Sequence, residues 1–202
     1  MTVHHDTFPA RVGSQVRDVP LLTVAPDVAI ALLITSDHGV DFMARAGAEL
    51  AEQLAPMRPE VVATNATLGL PVAIEVTRAL GLDDYLLLHK TPKIHLEDAF
   101  TEPLSSITTD ARQVLRLDRA RQQLVAGKRV VLVDDVVSTG GTIAAGCRLL
   151  RSAGAELVGI GALLVEGTSW HDTLGQDAEL VRSLGTLPLF RPDGDGWVER
   201  DG

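Results

Sequence analysis

An α/β fold, one domain built on a mostly parallel sheet flanked by helices with a small hood, is predicted by three features of the sequence. Strand-sized apolar runs alternate with stretches of helical period. One of those runs, Val130 to Val133, leads into two carboxylates and a glycine-rich turn that opens a helix. The 202-residue length suits one full core rather than two. The expected domain is the whole chain, residues 1–202, with a core over about 28–166. The hood would come from the amino-terminal stretch, the carboxyl-terminal tail, or both.

Taken in order, Val19 to Val24 and Val28 to Thr35 read as two strands joined near Pro26. Asp41 to Leu54 sets Phe42, Ala46, Leu50 and Leu54 near one face, which predicts an amphipathic helix with Asp37 as its cap. Val61 to Thr64 is a short strand, followed by a polar turn and a helix from about Gly69 to Leu80 that Gly81 stops. Tyr85 to Leu88 is the next strand. From His89 to about Ser105 the pattern is irregular, with Pro92 and Pro103, and predicts a long mobile loop. Ser106 to Thr109 and Arg112 to Leu117 alternate like a hairpin. The strand Arg129 to Val133, the helix Thr142 to Ala153 and the strand Leu157 to Val165 then form one strand–loop–helix–strand unit.

Composition narrows the function. No apolar run approaches the ~18 residues of a membrane-spanning helix, and the polar amino terminus carries no signal core, so a cytoplasmic protein with no membrane partner is expected. A net charge of -9 argues against nucleic acid as a partner, because phosphate backbones call for basic surfaces. Cys147 is the sole cysteine, which excludes an internal disulfide, and its neighbours Ile143, Ala144 and Leu150 suggest a small buried side chain. The histidines show no metal-ligand spacing. Gly159-Ile160-Gly161 lacks the third glycine of a dinucleotide fingerprint and reads as strand.

Chemistry concentrates in Val130 to Thr142, VVLVDDVVSTGGT. Asp134 and Asp135 sit at the carboxyl end of a buried strand, the edge where open α/β sheets bind ligands. The turn Ser138-Thr139-Gly140-Gly141-Thr142 then opens a helix. Glycines let backbone amides converge, hydroxyls add donors, and the helix terminus is partially positive, so the turn is a nest for one phosphate. Two carboxylates beside a phosphate would repel it unless something lay between. A sugar phosphate resolves the conflict, with its phosphate in the turn and its hydroxyls donating to the carboxylates. No GxxxxGK[ST] loop accompanies the acidic pair, which sets aside a nucleotide hydrolase.

These thirteen residues resemble, at every position, the motif with which type I phosphoribosyltransferases bind phosphoribosyl pyrophosphate (PRPP). The resemblance runs from about Val61 to Glu166 and is greatest to the adenine phosphoribosyltransferase-like branch. It implies transfer of ribose 5-phosphate from PRPP to a nucleobase, most readily a purine with adenine foremost, in a homodimer with Mg²⁺ as cofactor. Asp134 and Asp135 would bind the ribose hydroxyls, Ser138, Thr139, Gly140, Gly141 and Thr142 would cradle the 5-phosphate, with Val136 and Val137 also in the PRPP-binding run, Thr64, Asn65, Ala66 and Thr67 would contact pyrophosphate, and Lys90 would neutralise it. The metal would be held mainly through the substrate, with Asp134 and Asp135 as the available protein carboxylates. Glu97 and Glu102, in the long loop, are candidates for proton transfer to or from the base. Glu166 and Trp170 follow the strand where the resemblance implies part of the base pocket, and Trp170 and Phe100 are the best-placed stacking candidates among aromatic residues that make up only 3% of the chain.

The sequence also departs from that branch. Asn65-Ala66-Thr67-Leu68-Gly69 stands where adenine enzymes carry an acidic-Ala-Arg-Gly turn, and His89-Lys90 where they carry Arg-Lys. Two positive charges are missing. A regulator that senses PRPP on the same fold, or an enzyme for a pyrimidine or unusual acceptor, are the alternatives these departures leave open.

Overall fold

A computed structural model of the chain describes residues 2–96, 98–104 and 113–200. The chain opens with an antiparallel meander of β1 (Thr7–Val12), β2 (Gln15–Ala25) and β3 (Val28–Ala31). β1 is a strand that the apolar pattern did not predict. Its alternation is carried by Phe8, Ala10 and Val12, of which only Ala10 and Val12 are buried, between the polar or exposed Thr7, Pro9 and Arg11. Helix α1 (Val40–Leu54) buries Phe42, Ala46, Leu50 and Leu54 along one face. Its cap is Gly39; Asp37 lies in a short 3-10 turn and caps nothing, because the helix begins too far downstream.

The next elements are β4 (Val61–Asn65), α2 (Gly69–Ala79) and β5 (Tyr85–Leu88), with Gly81 at φ +70° just beyond the helix. The stretch predicted as one irregular loop contains a strand, β6 (Ala99–Pro103), paired antiparallel with β7 (Val114–Asp118). The hairpin's first strand therefore precedes the expected Ser106 to Thr109, which lies outside the described residues. β8 (Arg129–Val137) is longer than predicted and continues through both carboxylates. It is followed by α3 (Gly141–Ser152), β9 (Glu156–Glu166), the short α4 (Trp170–Leu174), β10 (Val181–Ser183), β11 (Thr186–Leu187), β12 (Leu189–Asp193) and β13 (Gly196–Arg200).

The central sheet has the order β10-β9-β8-β4-β5, with β11 beside the end of β9, and all its pairs are parallel. β8 explains how it is covered. Its side chains alternate in direction, so Val131 and Val133 join the core under α1 and α2, while Val130 and Leu132 join the core under α3. The connection from β4 through α2 runs outward to β5, and that from β8 through α3 runs the other way to β9. The crevice between the carboxyl ends of β4 and β8 is thus a topological switch point, where open α/β sheets bind ligands.

The two ends of the chain meet in a second sheet, β1-β2-β3-β12-β13, antiparallel throughout. His4 closes its far edge through paired backbone hydrogen bonds with Trp197 at 2.8 and 2.7 Å. Beneath it, Phe8 and Phe190 pack edge to face at 5.2 Å. Among the described residues no helix is long and apolar enough to cross a membrane.

Helices α1 and α2 approach each other closely at Gly47, where an added Cβ would lie 2.3 Å from Glu75 Cβ. The Gly47→Val variant is therefore expected to lose about 1–3 kcal/mol of unfolding free energy through overpacking. Urea denaturation checks this, and an unchanged midpoint would contradict the helix contact.

Candidate active site

At the switch point lies a cleft of about 200 Å³ lined by Ala66, Thr67 and Leu68 after β4, Lys90 after β5, and the continuous run Asp134 to Ile143. The acidic strand end and the glycine-rich turn form one wall, and the turn before α2 the other. Gly140 caps α3 at φ +80°, a left-handed conformation that suits glycine. A side chain there would also press on Trp170, whose Cα and Cβ would lie 3.2 Å from a new Cβ. The Ala66–Thr67 peptide in the opposite turn is cis.

Because side chains alternate along β8, its two carboxylates differ. Asp135 is half-buried at the cleft, whereas Asp134 is only 7% exposed. Asn65 Nδ2 donates to Asp134 Oδ2 at 2.9 Å, and the Asp135 N–H donates to Asp134 Oδ1 at 3.1 Å. Burial, and then the charge of Asp135, push the Asp134 carboxyl far above the usual carboxylate range, against the pull of Asn65 and Lys90. Gly69 admits this arrangement. A Cβ there would sit 2.5 Å from Asp134 Oδ1 and 2.3 Å from Thr64 Oγ1.

The cleft gathers Asp134 to Thr142, Ala66, Thr67 and Lys90 from the sequence-derived set. Thr64 and Asn65 are fully buried behind it rather than lining it. Glu166 lies next to the nest: its buried carboxylate accepts a hydrogen bond from Ser138 Oγ at 2.5 Å. Burial raises its pKa, partly offset by that bond. Trp170 stays out of the cleft, 7% exposed, with its indole N–H donating to Gly167 O at 3.2 Å and its backbone packed behind Gly140. Phe100 is on the hairpin, under the guanidinium of Arg119 at 4.1 Å. Glu102 is ion-paired with Arg148 of α3 at 2.5 Å, away from the cleft lining. Glu97 lies outside the described residues.

Leu68 and Ile143 line the cleft without having been singled out in the sequence. Thr35 was also missed; its buried hydroxyl donates to Leu68 O at 2.6 Å and ties the antiparallel sheet to the turn. Their positions beside the recognised motifs were the signal for the first two. Nothing local marked Thr35.

A strand–turn–helix phosphate nest with an acidic pair at a parallel-sheet switch point defines a sugar-phosphate-binding enzyme class. The model of the phosphoribosyl transferase domain matches residues 41–182, and the chain belongs to that family. It is 26% identical over 168 residues to a xanthine phosphoribosyltransferase of Brevibacillus brevis, covering 82% of this chain and 85% of that protein. To an adenine phosphoribosyltransferase of Streptomyces coelicolor it is 34% identical over 122 residues, 60% of this chain and 59% of that one. The crystal structure of the Giardia lamblia adenine phosphoribosyltransferase complexed with 9-deazaadenine shares its fold, with a TM-score of 0.66 at 18% identity over 83% of this chain and 93% of that chain. The protein is a PRPP-dependent pentosyltransferase.

Two outcomes follow from the geometry around Asp134. Gly69→Ala should weaken binding of PRPP by on the order of tenfold, since the new methyl displaces a carboxylate whose hydrogen bonds are worth about 1.5–3 kcal/mol; calorimetry reads this directly. The second concerns pH. A carboxyl whose folded pKa is raised contributes stability below the unfolded pKa, near pH ~4, and loses it as pH climbs through the folded value. Relative to Asp134→Asn, the unliganded wild type is expected to lose stability from about pH 4 toward about pH 8. Parallel melting curves for both proteins would contradict the burial of Asp134.

Proposed function

We propose that the protein transfers ribose 5-phosphate from PRPP to a purine base, with Mg²⁺ assisting. The single observation that carries the reading is the cleft in which the Ser138–Thr142 nest, the half-buried Asp135 and the Lys90 ammonium surround one space. The 5-phosphate would rest on the backbone amides at the start of α3, the ribose hydroxyls would donate to the acidic pair, and pyrophosphate would lie between the turn 66–68 and Lys90. The base nitrogen forms its bond to the anomeric carbon as the bond from that carbon to pyrophosphate oxygen breaks. The bonding pair leaves with pyrophosphate, and the nitrogen's proton passes to a pyrophosphate oxygen or to water. Positioning and stabilisation of the leaving charge carry the rate.

The donor set suits magnesium brought by the substrate. Among the described residues no three His, Cys, Asp or Glu side chains are grouped to hold a metal alone. Mg²⁺ characteristically takes one or two carboxylates with waters and substrate phosphates, which Asp135 and PRPP would provide. When bound it would supply positive charge to the departing pyrophosphate.

For the base, the support lies one residue past Glu166. A groove of about 550 Å³ is lined by Gly167, Thr168 and Ser169 and by Thr186 to Leu189, with Glu199 and Arg200 at its rim. Strand register extends its apolar wall, because Leu22, Ile30 and Leu189 are successive cross-strand partners and so share one face. Flat apolar walls with a few hydroxyl and backbone partners suit a neutral purine. Adenine leads through the sequence resemblance, and xanthine stands beside it because the Brevibacillus relative, named for xanthine, matches along most of the chain.

With Mg²⁺ present, PRPP is expected to bind at least about tenfold more tightly than ribose 5-phosphate, since pyrophosphate adds charge-assisted hydrogen bonds of about 1.5–3 kcal/mol each. Product formation from PRPP with adenine, xanthine, hypoxanthine, guanine, orotate and uracil then identifies the acceptor. Turnover of orotate and of no purine would overturn the purine reading. Tight PRPP binding with turnover of no base would instead make the protein a PRPP-sensing regulator.

A further inference from the structure

We infer that Asn65 is a positioning residue that acts on the substrate through Asp134 and makes no contact with pyrophosphate. The inference rests on the phosphoribosyltransferase reading but departs from the role that the turn containing Asn65 would suggest. Three observations carry it.

First, Asn65 ends β4 inside the sheet. Its side chain is fully buried, and the next residue, Ala66, continues the ladder by donating to Leu88 O at 2.9 Å. The cleft begins at Ala66. Second, its amide has already been committed. Nδ2 donates to Asp134 Oδ2 at 2.9 Å. The other end, Oδ1, turns toward α3, where a Cβ on Gly146 would lie 3.4 Å away, and it has no hydrogen-bond partner. Third, Asp134 is held on both sides. The Asp135 N–H takes Oδ1, Asn65 takes Oδ2, and Gly69 leaves room for nothing larger beside it. The Asn65 amide is the one side-chain donor among the described residues that orients this carboxylate. An acidic residue at position 65 would put a second carboxylate against it; an amide attracts it.

Leaving a buried Asn65 Oδ1 without a partner is unfavourable, so the amide is retained at a cost that the bond to Asp134 must offset. That asymmetry, one end used and the other not, is what a residue serving its neighbour's orientation would show.

A double-mutant cycle tests the inference. Wild type, Asn65→Ala, Asp134→Asn and the double variant are compared by calorimetry for ribose 5-phosphate, for pyrophosphate with Mg²⁺, and for PRPP with Mg²⁺. Asn65→Ala is expected to weaken ribose 5-phosphate and PRPP on the order of tenfold, while pyrophosphate binding stays within about twofold. In the Asp134→Asn background the same Asn65→Ala change is expected to have almost no further effect, because residues that act through one another are not additive. Should Asn65→Ala fail to fold, Asn65→Leu, which keeps the buried volume and removes the donor, takes its place in the cycle. A full tenfold loss from Asn65→Ala in that background, or an equal loss of pyrophosphate affinity, would overturn the inference. Failure of wild type to bind PRPP at all would overturn the functional reading beneath it.

Discussion

A carboxylate held inside the sheet is the constraint around which this site is built. β8 runs straight through Asp134 and Asp135, and strand alternation sends one side chain inward and leaves the other at the cleft. The inward one is costly, since burial disfavours its charge. Its neighbours answer that cost at specific places: an amide at Asn65, a backbone N–H at Asp135, and no side chain at Gly69. Each of these residues is more constrained by Asp134 than by its own element. Gly69 opens α2, where almost any residue would serve a helix, yet a single methyl there meets both Asp134 and Thr64.

The phosphate nest is buttressed in a similar way from behind. Ser138 donates a hydrogen bond from its hydroxyl to Glu166, which braces the turn. Gly140 is pinned against Trp170, which is why the large aromatic lies under the nest rather than over a base. The antiparallel sheet is anchored on both flanks of the cleft. Thr35 bonds the turn at Leu68, and Leu189 lies against Gly167, where an added Cβ would be 3.5 Å from its Cδ1.

How much of this was legible in the sequence depended on how far apart the participants lie. The strand, the acidic pair, the nest and α3 are contiguous, so Val130 to Thr142 could be read as a unit with its chemistry. The core alternation of strands and helices is equally readable, because β4, β5, β8 and β9 each carry an apolar run; β10 (Val-Arg-Ser) and β11 (Thr-Leu) carry none and are not predicted. What escaped was pairing at a distance. Asn65 and Asp134 are 69 residues apart, and nothing in a polar turn announces that its amide faces a carboxylate on another strand. Glu102, read as a loop acid poised for the base, spends its charge on Arg148 across 46 residues. β1 was overlooked because a short strand with proline and arginine on its exposed side lacks the β-branched run that marks the central sheet. Trp170 follows β9, where the resemblance implies part of a base pocket, but packing takes it into the core.

The hairpin shows how a segment that looks like a loose connector serves the site. Among the described residues Lys90 is the one cation lining the cleft, and an exposed lysine on a free loop would be a weak and mobile counter-charge. Its backbone is not free. His89 and Arg116 exchange backbone hydrogen bonds at 2.8 Å, which joins the end of β5 to β7. The Arg116 guanidinium then donates to Lys90 O at 3.2 Å and to Val114 O at 2.9 Å. The positive charge of Arg116 is thus used to hold the main chain from which Lys90 rises, while Lys90 itself faces the cleft. The hairpin therefore fixes the main chain at Lys90 through β7 and leaves its ammonium as the one cation at the cleft among the described residues.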